Sequence, residues 1–221
     1  MGLDGDEMHQ LDAIISRRRR VLKGEALYSM GEKFSHLYAI RVGHFKTTHL
    51  DASGSEQVIG FQMSGELLGF DAISTDLHNC NALALEDSEV CDVPFDQLET
   101  LFRDIPSLQR QFHRMMSKEI TREQSLMLLL GNMRAEQRLA AFLMNLSGRY
   151  ARRGYSAREF QLRMTREEIG SYLGLTIESI SRLLTRFRKL GLLEVEQKLI
   201  RIVDIDRLKA MITAESVNCD D

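Results

Sequence analysis

Cysteine and proline are both scarce in this 221-residue chain. Its three cysteines (Cys80, Cys91 and Cys219) are odd in number and widely spaced, which argues against a disulfide framework. With only two prolines and 43% hydrophobic residues, the composition is that of a folded, cytoplasmic-type protein of one large or two modest domains. Long apolar runs are missing as well. The longest, around 125–130 and 139–146, fall far short of the roughly 20 residues that span a bilayer, so no membrane partner is expected. No charged-then-apolar leader opens the sequence. No Ser/His/Asp or Cys/His arrangement and no glycine-rich phosphate loop of the expected form is found, so an enzyme is not expected. The histidines are scattered and suggest no zinc or haem site; His78 and Cys80 share a loop and are expected to point the same way.

Net charge is only −3, but it is unevenly divided. Residues 1–107 carry 9 Lys and Arg against 18 Asp and Glu, whereas residues 134–212 carry 16 against 9. An acidic front and a basic rear place any phosphate-binding surface at the rear.

That rear part holds the most specific pattern. Residues 165–191 read as two short helices broken at Gly174. Thr165 with Glu168 makes a capping box for the first helix, and Thr176 caps the second. Ile169, Leu173, Leu175, Ile180, Leu183, Leu184 and Phe187 supply the apolar contacts between them. Glu178, Ser181 and Arg182 share one face near the start of the second helix. A carboxylate, a hydroxyl and a guanidinium are the groups that accept from cytosine, bond to several bases and fork onto guanine in a major groove. The competing reading is an ordinary Glu178–Arg182 intrahelical ion pair on a solvated surface. The next segment, LLEVEQKLIRIV, alternates around a polar turn as a two-stranded wing does. Helix, turn, helix and hairpin together predict a DNA-binding regulator, with Thr165, Thr176 and Arg186 joining the trio as candidate double-stranded DNA contacts.

Ahead of this lies a β pattern from Val21 to Pro94, punctuated by glycines, with a hairpin turn expected at 51–54 and short helices at about 7–15 and 95–102. Arg17–Arg20 reads as a solvated turn leading into it, with a role against the dimer helix or polymerase, rather than as a nucleic-acid patch. A long helix is predicted over 107–130, where His113, Met116, Ile120, Glu123, Met127 and Leu130 follow a 3–4 alternation suited to pairing with a second copy. Phe112 and Met115 are expected to pack on the barrel instead. Glu123 is a polar blemish in that seam and is expected to weaken the dimer by like-charge repulsion. Gly131–Asn132 is the predicted hinge before an amphipathic helix over 135–154. The fold class is therefore α+β: an antiparallel β-roll over 1–106, a dimerisation helix over 107–133, a winged helix-turn-helix over 134–212, and a tail over 213–221.

Barrel, long helix and winged helix-turn-helix, in that order and over essentially the whole chain, resemble the CRP/FNR family of bacterial regulators. The stretches LYAIRVGHFK, GELLGFDAIS, ALEDSEVCDVPF, LAAFLMNLSGRY and MTREEIGSYLGLTIESISRLL look closest to its oxygen-responsive FNR/ANR (fumarate and nitrate reduction) subgroup. The resemblance implies that Glu178, Ser181 and Arg182 read TTGAT-type half-sites of a palindrome. It also implies contacts with RNA polymerase, for which the turn around Gly54 is a candidate.

Two departures bear on the signal. In cyclic-nucleotide-binding relatives an arginine holds the cyclic phosphate, and counting back from Cys91 puts Asn81 there. No Lys or Arg occurs between Thr47 and Phe102, so cAMP is not expected. Glu66, in the GEL that resembles the start of the phosphate-binding cassette, is read as a turn or core-edge residue. The subgroup's oxygen sensor is a [4Fe–4S] cluster on four cysteine thiolates. Cys91 matches its internal ligand, but no cysteine precedes Cys80, and an ungapped match places the other three upstream of Met1. The chain is accordingly expected to be shortened at its front. The alternatives are a cluster-less member controlled by abundance or thiol redox, and a small-ligand-sensing module with no DNA role.

Overall fold

The computed structural model describes residues 4–15, 17–50 and 54–213. A helix, α1 (Gly5–Ile14), is followed by eight strands: β1 (Arg17–Val21), β2 (Ala26–Tyr28), β3 (His36–Val42), β4 (His44–Leu50), β5 (Glu56–Met63), β6 (Leu67–Leu68), β7 (Asn81–Ala84) and β8 (Ser88–Pro94). A single 3-10 turn, Phe70–Ala72, lies between β6 and β7. Then come α2 (Phe95–Asp104), α3 (Pro106–Asn132), α4 (Ala135–Ala151), β9 (Glu159–Gln161), α5 (Arg166–Leu173), α6 (Ile177–Lys189), β10 (Leu193–Glu196), β11 (Leu199–Ile202) and α7 (Ile205–Thr213). Two compact units divide between Glu123 and Gln124, inside α3.

The first unit is the expected antiparallel roll, built as two four-stranded sheets of order β1-β8-β3-β6 and β2-β7-β4-β5. Residues 51–53 of the anticipated hairpin turn lie outside the described residues, but the strands that it joins pair from His44↔Met63 to Leu50↔Glu56. Strand alternation sends Tyr38 and Ile40 of β3, Phe45 of β4, Leu68 of β6 and Val90 of β8 into one core cluster. A second cluster joins Phe34, Leu37 and Val93 to Leu98 of α2 and to Leu108 and Phe112 of α3. Phe112 packs on the roll as expected, but Met115 is 38% exposed, and Met116 packs there in its place. The reason is the helical repeat: Leu108, Phe112 and Met116 form an i, i+4, i+8 row, and Met115 turns away from it.

Arg17–Arg20 is not a turn. It forms β1, paired with β8 from Arg17↔Asp92 to Val21↔Ser88. A strand tolerates neighbouring cations because alternation turns Arg18 and Arg20 to one face and Arg19 to the other. Arg19 turns inward, 5.1 Å from the Tyr38 ring centroid, donates to the Leu27 carbonyl at 3.2 Å and faces Asp92 at 3.7 Å. Arg18 and Arg20 stay exposed.

In the second unit, α4 buries Leu139, Phe142, Leu143 and Leu146 against α5, α6 and α7. The predicted hinge is displaced: Gly131 and Asn132 are still helical, and the break falls at Met133–Arg134. There the Arg134 N–H turns to the Gln137 side chain at 2.9 Å, starting the next helix. The predicted wing forms as β10 and β11, but within a three-stranded sheet of order β10-β11-β9. Strand β9 inserts Phe160, which stacks on Tyr150 at 5.2 Å, and α7 inserts Leu208.

Candidate nucleic-acid interface

The helix-turn-helix is held by local chemistry at each of its corners. Thr165 accepts from the Glu168 N–H at 3.1 Å, and the Glu168 carboxylate accepts from the Thr165 N–H at 2.7 Å, closing the capping box of α5. Helix α5 stops at Gly174, whose φ of 63° is left-handed and suits glycine. The turn is tight: a Cβ added at Gly170 would stand 2.6 Å from the Leu175 carbonyl oxygen. Thr176 then caps α6, accepting from the Ser179 N–H at 3.2 Å.

Helix α6 buries Ile180, Leu183, Leu184 and Phe187 and turns Glu178, Arg182, Arg186 and Arg188 outward. The trio faces solvent within its unit, with Glu178 and Arg182 exposed and Ser181 half-buried. No ion pair joins Glu178 to Arg182 among the described residues. Instead, the Arg182 Nη2 lies 3.4 Å from the Ser179 hydroxyl, a weak contact that leaves the guanidinium's fork available. Ser181 accepts from Arg166 Nη1 at 3.2 Å. Arg186 differs from the trio, because its guanidinium is paired with Glu136 of α4. Sequence reasoning missed Arg166, which follows the cap Thr165 directly, and Ile177, which is 45% exposed in the first turn beside Glu178. In the wing, Arg201 binds Glu159 at 2.8 Å and Glu194 at 2.9 Å.

Along α3, Ile120 is 52% exposed and Met127 is 71% exposed, while Glu123 is exposed and Leu130 half-buried. Leu128, at 63% exposure, was not anticipated. Met116, placed with this stripe from sequence, leans on the roll's core instead.

Residues 137–211 match the model of the Crp-like helix-turn-helix domain, and residues 18–104 match that of the cyclic nucleotide-binding domain. The chain is 46% identical to the transcriptional regulatory protein btr of Bordetella pertussis, over 98% of this chain and 89% of that one. It is 49% identical to the fumarate and nitrate reduction regulatory protein of Escherichia coli (strain K12), over 93% of this chain and 82% of the relative. The solved structure of FixK2 from Bradyrhizobium japonicum superposes with a TM-score of 0.82 at 28% identity, covering 90% of this chain and 98% of that one. The chain belongs to the CRP/FNR family. It is therefore a DNA-binding transcription regulator and not an enzyme, and no helix among its described residues is long and apolar enough to cross a membrane.

Within this CRP/FNR roll, a cavity of about 270 Å³ lies between the strands and α3. Its apolar wall includes Ile59, Phe70, Met116 and Ile120, and its polar groups include Tyr28, Gln62, Asp71, Cys80, Glu119 and Glu123. The buried Gln62 Oε1 meets no donor among the described residues, and no Lys or Arg lines the space. Asn81 uses its carbonyl to accept from the Met30 N–H at 2.8 Å, and Glu66 accepts from the Met63 N–H at 3.1 Å, as a turn residue does. His78 and Cys80 are both buried around Asp71. Burial drives the Asp71 carboxyl up, but hydrogen bonds with His78 and the Asn79 N–H outweigh it and hold the group below its ordinary range. The Cys80 thiol is pushed up to about 12, first by burial and then by the Asp71 charge. Cys91 sits half-buried on β8, opposite Arg18 and Ala39. Among the described residues no group of three or more His, Cys, Asp or Glu could hold a metal, and the two cysteines, Cys91 and the Cys80 thiol that burial pushes up, do not by themselves supply four thiolates.

Proposed function

We propose that the chain is a homodimeric cytoplasmic regulator that reads a TTGAT-type palindrome and answers to oxygen or redox state. The outward-facing trio on α6, with Glu178 and Arg182 exposed and Ser181 half-buried, carries the base-reading part of this proposal. Glu178 accepts from a cytosine amino group, Arg182 forks onto guanine, and Ser181, whose oxygen already accepts from Arg166, donates its own proton. Thr165 and Thr176 stand at the two helix N-termini, which favour an anion; Thr165 would offer its hydroxyl proton to phosphate, and Thr176 would do so by giving up its bond to the Ser179 hydroxyl. Arg186 reaches phosphate by exchanging Glu136 for it. The exposed apolar residues of α3 support pairing of two copies through Ile120, Met127 and Leu130, with Met116 at the edge of that seam. Glu123 there keeps the pair weak until a signal acts. The turn that includes Gly54 is the proposed contact with RNA polymerase.

Oxygen or redox control rests on relatives named for fumarate and nitrate reduction and for anaerobic regulation. Cys91 is the one proposed cluster ligand. In a second reading, control runs through abundance or the free, half-buried Cys91 thiol without a cluster. A carboxylate-lined cavity also opposes a cyclic phosphodiester as the signal. Iron and acid-labile sulfide, measured on anaerobically purified protein from the complete reading frame, separate the two readings: about four of each per chain support the cluster, and none removes it. Two chains bound per palindrome, with no preference lost on scrambling the half-sites, would refute the specific-site proposal.

A further inference from the structure

Arg138 belongs to the first turn of α4, yet its guanidinium serves other elements. Its Nη2 donates to the Leu130 carbonyl at 2.7 Å, its Nε to the Met133 carbonyl at 2.9 Å, and its Nη1 to the Leu173 carbonyl at 3.1 Å. Leu130 lies in the last turn of α3, Met133 in the link after it, and Leu173 at the end of α5. Helix ends leave such carbonyls without intrahelical donors, and two helix C-termini both favour a cation. The space around the group is full. A Cβ at Gly174 would stand 3.4 Å from Nη1 and 3.8 Å from a Leu130 methyl. A planar guanidinium holding three acceptors fixes their relative positions, which a lysine's single ammonium cannot do.

We propose that Arg138 is a positioning residue that locks the helix-turn-helix to the end of α3, and so sets how far apart two recognition helices stand on DNA. This rests on the homodimer reading above. Helix α6 packs directly on α5, so holding the α5 C-terminus holds the reading face. Paired recognition helices must meet half-sites about 34 Å apart, and one base pair changes that distance by roughly 3.4 Å. A loosened link lets each reading head follow a displaced half-site. A tight one does not.

The test uses the full chain as wild type, Arg138→Met and Arg138→Lys, titrated onto four duplexes: the palindrome, the palindrome with one central base pair inserted, the same with one deleted, and a single half-site. Wild type is expected to prefer the native spacing by about 50-fold or more, and Arg138→Met by less than about 5-fold, with half-site affinity kept within about 3-fold. Arg138→Lys, which keeps the charge but not the fork, falls between and serves if the methionine variant does not fold. A purely structural role would lower all four affinities together and leave the spacing ratio unchanged, which overturns the proposal while the dimer reading stands. A wild type indifferent to spacing removes the dimer reading and the lock with it.

Discussion

Replacing Arg182 by alanine is the most direct trial of the interface, because the structure isolates the effect. Arg182 is exposed, and among the described residues it has no ion pair and one weak hydrogen bond, to the Ser179 hydroxyl at 3.4 Å, so the folded chain is expected to lose almost nothing. A bidentate guanidinium on guanine is worth about 1–3 kcal/mol of discrimination per contact. Two copies on a palindrome double that to about 2–6 kcal/mol, which is roughly 30-fold to 20,000-fold in affinity at about 1.4 kcal/mol per decade. On a random duplex the same change removes only general attraction to phosphate. Fluorescence anisotropy on a labelled TTGAT palindrome and a scrambled duplex, repeated at several salt concentrations, distinguishes the cases. A base reader leaves the salt slope nearly unchanged, whereas a phosphate contact reduces it by about 1 per site. Equal losses on both duplexes, or a slope that falls with the arginine, would refute base reading by Arg182.

Glu123→Ala is expected to tighten self-association. Two carboxylates about 7 Å apart at an effective dielectric of about 40 repel by about 1 kcal/mol, so the dimer dissociation constant falls severalfold, less so at high salt. Sedimentation equilibrium showing no shift, or a weaker dimer, would exclude Glu123 from the seam. A further prediction concerns acid. Because the Asp71 carboxyl is held below its unfolded value near 3.8, it stabilises the roll above about pH 4, and that stability is lost as pH falls through the folded value. Asp71→Asn should therefore flatten the decline of the unfolding midpoint between about pH 5 and pH 3, and parallel curves for the two proteins would show that Asp71 is not the group responsible.

The helix-turn-helix was legible because each of its boundaries has a local chemical cause: a capping pair at Thr165 and Glu168, a left-handed glycine at 174, a second cap at Thr176, and apolar residues at helical spacing. The roll was legible as a class but not strand by strand. In β1 the run of arginines hid the alternation, because the inward position is filled by Arg19 rather than an apolar residue, and its burial depends on Tyr38 and Asp92 from distant strands. Strand β9 has three residues, too few for a period to emerge, and its place depends on pairing with β11. Helix α7 is defined chiefly by one buried leucine against α4. The outward face of α6 could be named from residue spacing alone. The Arg186–Glu136 pair and the three carbonyls on Arg138 could not, because they join residues of separate helices whose juxtaposition only the fold supplies.

Gly170 divides what can be altered in this motif from what cannot. Because even a methyl group there would meet the Leu175 carbonyl at 2.6 Å, an alanine, ordinarily the best helix former, is expected to prise α5 and α6 apart. The outward positions 177, 178 and 182 are exposed, and Ser181 beside them is half-buried. An engineer retargeting the regulator can randomise those four positions to seek new operators, provided that the hydrogen-only position behind them is left as it is.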